Sequence, residues 1–184
     1  PGALSPASGL VKNANSTWLN GRALREDLQA RLGRELRFAN DANCFALSEA
    51  TDGAGKGAWG VFGVILGTGV GGGIFVDGEL FRGAHGYGGE FGHLTVDPEG
   101  PPCKCGSTGC LETFVGQEAI AERAGIDVGA GGRARNLTRE LVRRAGKSDP
   151  AVLRSLAEAG RYLGIGLASA VNLFDVDVVV LGGC

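Results

Sequence analysis

The chain has 184 residues, 43% hydrophobic and 21% charged, enough to bury one sizeable core. A net charge of −2 and a pI of about 5.7 leave no basic excess to displace counterions from phosphates, so no nucleic-acid partner is expected. No apolar run approaches the ~20 residues that span a bilayer, so no membrane partner is expected.

The chain opens on Pro1, contains no Met and closes on Leu181-Gly182-Gly183-Cys184 directly after a Val-rich run. Both features read as a protein cut at its two ends. Glycine is the compositional outlier with 34 residues, neither periodic nor low-complexity, clustered at 67–73 and 83–92. Glycine gathers where a backbone takes positive φ or approaches another group closely.

In chain order, residues 1–21 read as loop, with turn chemistry at Pro1-Gly2, Ser5-Pro6, Ser8-Gly9 and Asn20-Gly21. Arg22 to Leu32 carries Ala23, Leu24, Leu28 and Leu32 at helical spacing, with Gly33 as a stop. Leu36 to Ala39 is a short strand candidate running into Asn40-Asp41, and Ala42 to Ala50 is a further helix. Asp52 to Gly57 breaks the pattern, so a hinge is expected near 51–60, dividing 1–55 from 56–184. Val61 to Leu66 is an apolar strand, and Asp77-Gly78 is a strong hairpin signal between Gly72–Val76 and Leu80-Phe81. Leu94 to Val96 is a further strand candidate, and 97–110 a loop rich in Pro, Gly and Cys. Helices follow at Leu111–Ala124, 136–145 and 150–173, then a last strand at Val176–Leu181. This order predicts an α/β fold with a mixed sheet.

Four groups of residues carry candidate chemistry. His93, Cys103, Cys105 and Cys110 offer one imidazole and three thiolates, a complete tetrahedral set for a closed, structural zinc site over 93–110. The competing readings are a reduced thiol cluster or a disulfide, but a Cys103–Cys105 bridge is strained and three cysteines leave one unpaired. Cys44 and Cys184 have no partner at metal spacing and read as packing residues. Asp41, where a strand gives way to a helix, can accept the proton of an attacking hydroxyl. It can equally cap the helix, and on local sequence the cap is the stronger reading. Gly67-Thr68-Gly69-Val70-Gly71-Gly72-Gly73 can turn backbone N–H groups and a hydroxyl onto phosphates, or simply form a tight turn. It matches neither the Walker pattern nor a dinucleotide fingerprint. Glu90 lies three residues before His93, and Glu112 two after Cys110, so a folded metal loop would pin both near one place, suited to sugar hydroxyls; taken singly, either glutamate reads as an ordinary solvated surface charge. His93 can bind the metal through one ring nitrogen and offer the other to a hydroxyl. His85 reads as a loop residue.

Together, Asn40-Asp41-Ala42-Asn43-Cys44-Phe45-Ala46-Leu47-Ser48-Glu49-Ala50, Leu66 to Gly73, and Gly89 to Glu112 resemble the ROK-family sugar kinases over nearly the whole chain. Val11 to Gly21 is most similar to the fructokinase branch; Phe45 to Ala50 and the short His93-to-Cys103 loop are also similar to N-acetylglucosamine kinases. The resemblance implies an actin/hexokinase-like (ribonuclease H-like) fold of two lobes, here incomplete. It implies Asp41 as catalytic base, with Asn15, Asn40, Glu90, His93 and Glu112 on the sugar. Gly67, Thr68, Gly69 and Gly71 would hold ATP with Mg2+, Gly182 and Gly183 would lie near the nucleotide, and Zn2+ would be held by His93, Cys103, Cys105 and Cys110. It further implies a cytoplasmic homodimer that phosphorylates a hexose at its primary hydroxyl, fructose before N-acetylglucosamine or glucose. With it, Asp41 as base overtakes Asp41 as cap. The family's first phosphate loop, an Asp-x-Gly-Gly-Thr stretch, has no match, and Cys184 stands where a third glycine is usual. The rival expectations are a sugar-sensing transcriptional repressor of the same family and a zinc-stabilised binding domain without chemistry.

Overall fold

The computed structural model describes residues 3–5, 7–14, 16–129 and 137–183. The chain starts as a two-stranded antiparallel pair, β1 (Ala3–Leu4) and β2 (Val11–Lys12), where turn chemistry alone had pointed to loop. Gly9, at φ 72, sits in the connection. A 3-10 turn over Thr17–Leu19 leads to α1 (Leu24–Leu32), which stops at Gly33 in the left-handed region, as expected. The strand expected at Leu36–Ala39 does not form. Among the described residues no strand lies alongside it, and the Leu36 N–H donates to Gln29 Oε1 (2.9 Å) instead of to a ladder.

Next come α2 (Asp41–Thr51), β3 (Gly60–Leu66), β4 (Val70–Val76) and β5 (Glu79–Leu80). Asp77 and Gly78 both take positive φ (51° and 83°), the signature of the tight hairpin that their sequence predicts. The helix expected over Leu111–Ala124 is broken into α3 (Glu112–Val115) and α4 (Gln117–Arg123) by Gly116, whose ψ of 146° is extended. The break receives the β3–β4 turn: the Gln117 N–H donates to the Gly67 carbonyl at 3.0 Å. Then follow α5 (Leu137–Ala145), α6 (Pro150–Phe174) and β6 (Val178–Gly183). Asp149 caps α6, accepting from Ala151 N (2.9 Å) while pairing with Arg144. No helix among the described residues is long and apolar enough to cross a membrane.

The sheet runs β5-β4-β3-β6, with β3 and β6 parallel and the other pairs antiparallel, which is the mixed sheet of the expectation. Side chains alternate across a strand, so β3 and β4 have two different faces. Phe62, Val64, Val70 and Ile74 meet Phe91, Leu111, Phe114, Val115, Tyr162 and Ala170 in the main core. Phe62 and Phe91 contact edge-to-face at 4.9 Å, and Phe114 stacks on Tyr162 at 3.8 Å. The opposite face carries Gly63, Gly71 and Gly73, and α2 lies on it through the fully buried Ala42 and Ala46. A Cβ on Gly63 would sit 3.0 Å from the Ala46 Cα, and one on Gly71 3.2 Å from the Ala42 Cβ. Because α2 covers this sheet, the expected hinge near residue 55 falls between a helix and the strands it packs against. Gly55 itself is buried against Val61.

Gly73→Ala would drive a methyl group into the Ala42 carbonyl oxygen. It should lower stability by about 1–3 kcal/mol, the usual cost of overpacking, read as a fall in the urea midpoint. Gly160→Ala, where an added Cβ meets nothing within 4 Å, should be neutral or stabilising in the same assay. Equal midpoints for the two variants would contradict this close approach of α2.

Candidate active site and metal centre

The first turn of α2 separates the two readings of Asp41. Asn40, in extended conformation (φ −70, ψ 165), accepts from the Asn43 N–H through its side chain at 2.8 Å. Asn40 is therefore the cap, and Asp41 is the first helical residue, exposed, with Oδ1 3.0 Å from the Ala42 N–H. Its neighbour Ala42 rests on Gly71 and Gly73, which brings the start of α2 onto the start of β4.

The glycine stretch divides in two. Residues 67–69 are the turn itself, closed by a bond from Gly67 N to the Gly69 carbonyl (3.0 Å), with Thr68 exposed. Among the described residues, the Thr68 and Gly69 N–H groups have no hydrogen-bond acceptor, so two donors and a hydroxyl remain free at the tip. Gly71, Gly72 and Gly73 belong to β4 and serve packing on both its faces. Gly71 pairs with Ile65 and lies under Ala42, while on the reverse face Gly72 lies against Phe91 and the Gly89 carbonyl. Gly92 is pressed against the Val70 carbonyl in the same way. Glu90, between Gly89 and Gly92, is thus carried on the start of β4, exposed and with no side-chain bond among the described residues. Lys12 supports this segment from β2, donating to the His85 carbonyl (3.2 Å) and lying 4.0 Å over the Tyr87 ring.

Glu112 completes the cluster. Its Oε2 accepts from the Val70 N–H at 2.9 Å and crowds Gly69, and its Oε1 pairs with Lys104 Nζ at 2.8 Å. The Glu112 carboxylate in turn holds the Lys104 ammonium above its ordinary pKa. Gly69 and Gly71 are two residues apart, no more than about 7 Å of chain. Glu112 touches the first of them and Ala42, beside Asp41, touches the second. Gly183 pairs with Leu66 at the same strand end, while Gly182 faces the Phe45 ring of α2. Asn15 lies outside the described residues. A cleft of about 600 Å³ lined by Arg25, Gln29, Glu35, Leu36, Arg37, Phe38 and Arg82 contains none of the candidate residues.

The His93, Cys103, Cys105 and Cys110 donor atoms all lie within 4.8 Å of one another. Cys103 Sγ is 3.6 Å from His93 Nδ1, and Cys105 Sγ is 3.6 Å from Cys110 Sγ. With Zn–S near 2.3 Å and Zn–N near 2.0 Å, the edges of a tetrahedral site are about 3.8 and 3.5 Å, so the donor set fits a closed zinc site. No disulfide joins the described cysteines. Backbone bonds shape the loop: Cys103 N to the Ser107 carbonyl (2.7 Å), Gly109 N to the Pro101 carbonyl (2.7 Å) and Leu111 N to the Leu94 carbonyl (2.8 Å). The strand expected at Leu94–Val96 is reduced to a single bridge, Thr95 with Cys110. Gly109, at φ 64, is locked against Asp97, whose Oδ2 accepts from the Tyr162 hydroxyl (3.1 Å). Burial pushes the Cys110 thiol up to about 12, so a metal binding there would have to displace its proton. The N–H of Ser107 lowers the exposed Cys105 thiol.

The profile of the ROK family matches residues 1–184. The chain belongs to the ROK family. It is 36% identical, over its full length, to an N-acetyl-D-glucosamine kinase of Erwinia tasmaniensis, of which it covers 62%. The ROK hexokinase of Thermus thermophilus superposes with a TM-score of 0.77 at 41% identity, over 88% of this chain and 55% of the hexokinase. A ROK glucokinase of Streptomyces griseus, solved with glucose and AMPPNP, gives 0.75 at 33% identity, over 90% of this chain and 57% of that one. The xylose repressor of Bacillus subtilis is also similar, 31% identical over 98% of this chain and 46% of the repressor. The chain spans about three fifths of the curated kinases it matches. Its fold is the actin/hexokinase-like one of these ROK structures. The expected fructokinase kinship is not shown by these relatives: three of the curated kinases most similar to the chain are named for N-acetylglucosamine, N-acetylgalactosamine and glucose.

Two residues of the cluster carried no role in the sequence reading. Lys104 looks like any surface lysine until the loop brings it to Glu112, and Asn43 has a buried Oδ1 with no hydrogen-bond partner among the described residues. Purified chain should contain a single zinc ion, measured by atomic emission. Cys110→Ser should lose the metal and melt lower, and acidification should release it from the parent chain because protons compete for the thiolates. Retained zinc in Cys110→Ser would contradict the four-donor site.

Proposed function

We propose that the protein carrying this chain is an ATP-dependent hexose kinase. The reading is supported by what packs around the start of β4: Ala42, next to Asp41, lies over Gly71, the Glu112 carboxylate bonds the Val70 N–H beside the Thr68 turn, and Glu90 belongs to the segment packed on Gly72. Asn40 does the capping, Asp41 Oδ1 accepts only from the adjacent Ala42 N–H, and Oδ2 is available to accept the proton of the attacking sugar hydroxyl. The Asn40 amide nitrogen remains a donor while its oxygen caps the helix. Glu90 has both oxygens available. Glu112 spends one lone pair of each oxygen on the protein and keeps the others for sugar hydroxyls. His93 turns Nδ1 to Cys103, so Nε2 is left to bond a hydroxyl, and one ring serves metal and substrate together.

The residues that would hold ATP with Mg2+ are Thr68 and its flanking glycines, with Gly183 beside them. When bound, ATP supplies the phosphoryl group and Mg2+ offsets its charge. The chain's own part is to present the Thr68 and Gly69 N–H groups and the Thr68 hydroxyl, and to orient the sugar for in-line attack through its primary hydroxyl. For the sugar, N-acetylglucosamine or glucose takes precedence over fructose, because kinases for those sugars are the relatives that match.

The second reading is a sugar-sensing repressor, favoured by the similarity to the xylose repressor. A repressor has no need of a proton acceptor, so an unobstructed Asp41 beside free phosphate donors speaks for the kinase. Asp41→Asn in the full natural chain should bind sugar as before and turn over about 10²–10⁴-fold more slowly, as loss of a general base implies. ADP release across a panel of N-acetylglucosamine, glucose and fructose measures this. Undiminished turnover would remove Asp41 from the role, and absence of ADP release with every sugar would favour the repressor.

A further inference from the structure

We propose that Lys104 is a positioning residue that locks the metal loop to the phosphate turn through Glu112. The kinetic part of this inference rests on the kinase reading above. Lys104 stands between two members of the donor set, Cys103 and Cys105. Its backbone is therefore fixed by the same short loop, in which the Cys103 N–H donates to the Ser107 carbonyl and the Gly106 N–H to the Cys103 carbonyl. From that base the ammonium reaches Glu112 Oε1 at 2.8 Å.

The far oxygen of the same carboxylate accepts from the Val70 N–H at 2.9 Å. Val70 is the first residue of β4, immediately after the turn at 67–69, and its partner across the hairpin is Leu66. A side chain at position 69 would collide with Glu112 Oε2, so the turn and the carboxylate are fitted to each other. One carboxylate thus bridges two separate loops. Without the ammonium, Glu112 could rotate about its own χ angles and give up either Val70 or a substrate hydroxyl. With it, both oxygens are aimed.

The geometry predicts a specific division of effects. Lys104 is largely exposed (side chain 72%), so its pair with Glu112 adds little to global stability. Its consequence is local, at the Val70 amide and at whatever Glu112 binds. Lys104→Met keeps the aliphatic stem and removes the charge, while Lys104→Arg restores a cation.

The test compares these two variants with the parent in the full natural chain, by metal content, amide hydrogen exchange and kinetics with N-acetylglucosamine or glucose. Lys104→Met should retain its zinc and its melting temperature, but its Val70 amide should exchange roughly tenfold faster, with the β3 amides unchanged. The KM for the sugar should rise roughly fivefold, more than kcat falls, as for the loss of one charge-assisted contact. Lys104→Arg should recover most of both. Unchanged Val70 exchange in Lys104→Met would overturn the positioning role whatever the kinetics. Faster exchange with an unaltered KM would overturn the claim that Lys104 aims a sugar ligand. If the parent phosphorylates no sugar, the kinase reading fails by itself, and the exchange result still decides for or against the lock.

Discussion

The close approach of a helix to a strand is the constraint on which this molecule depends. Ala42 and Ala46 on α2 meet Gly63, Gly71 and Gly73 on the sheet, so helix and strand backbones touch with almost no side chain between them. On the reverse face, Gly72 and Gly92 admit the 89–92 segment just as closely. A strand normally keeps its neighbours apart by the depth of its side chains, with packed sheets about 10 Å apart. The glycines at 71–73 let two otherwise distant segments pack closely on the two faces of β4, the one carrying Asp41 and the other Glu90. Interiors are close-packed and transmit strain, so an added methyl at these contacts must shift the functional residues along with the backbone.

The metal loop answers a different problem. Residues 94–111 contain little regular structure and few apolar side chains, so burial alone cannot hold them. A short ladder of backbone bonds and the Asp97–Tyr162 hydrogen bond do so instead, beside four donor side chains gathered closely enough to hold one zinc ion. The loop is anchored on the core through Leu111 and Phe114, which pack with Phe91 and Tyr162. Its outward product is a pair of charges, Lys104 and Glu112, set against the turn that opens β4. The four-donor loop, the Glu112 carboxylate and the 67–69 turn are thus joined in sequence from the core outward.

Much of the secondary structure was legible because it rests on local chemistry. Apolar runs gave β3 and α6, Gly33 ended α1, and Asp77-Gly78 turned the β4–β5 hairpin. The failures share a cause. Leu36–Ala39 has the composition of a strand but no partner among the described residues, and β1–β2 has a partner despite turn-like composition. The helix over 111–124 breaks at Gly116 because the 67–69 turn docks there, a contact across some fifty positions of sequence that no local pattern contains. The cap assignment is subtler: Asn40 and Asp41 are both good caps, and only the backbone conformation at Asn40 decides between them.

By itself the sequence determined the α/β class, the four-donor metal set and the family, since each depends on residue identity at short spacing. Tertiary structure alone decided that glycines 71–73 are a packing surface and that each Glu112 oxygen has one partner within the protein. It alone placed Lys104 on Glu112, eight positions on in the chain but within one ion pair in space. The physical reason is that donor count and hydrophobic period are properties of a segment. Which backbone can approach which depends on side chains missing from both partners at once.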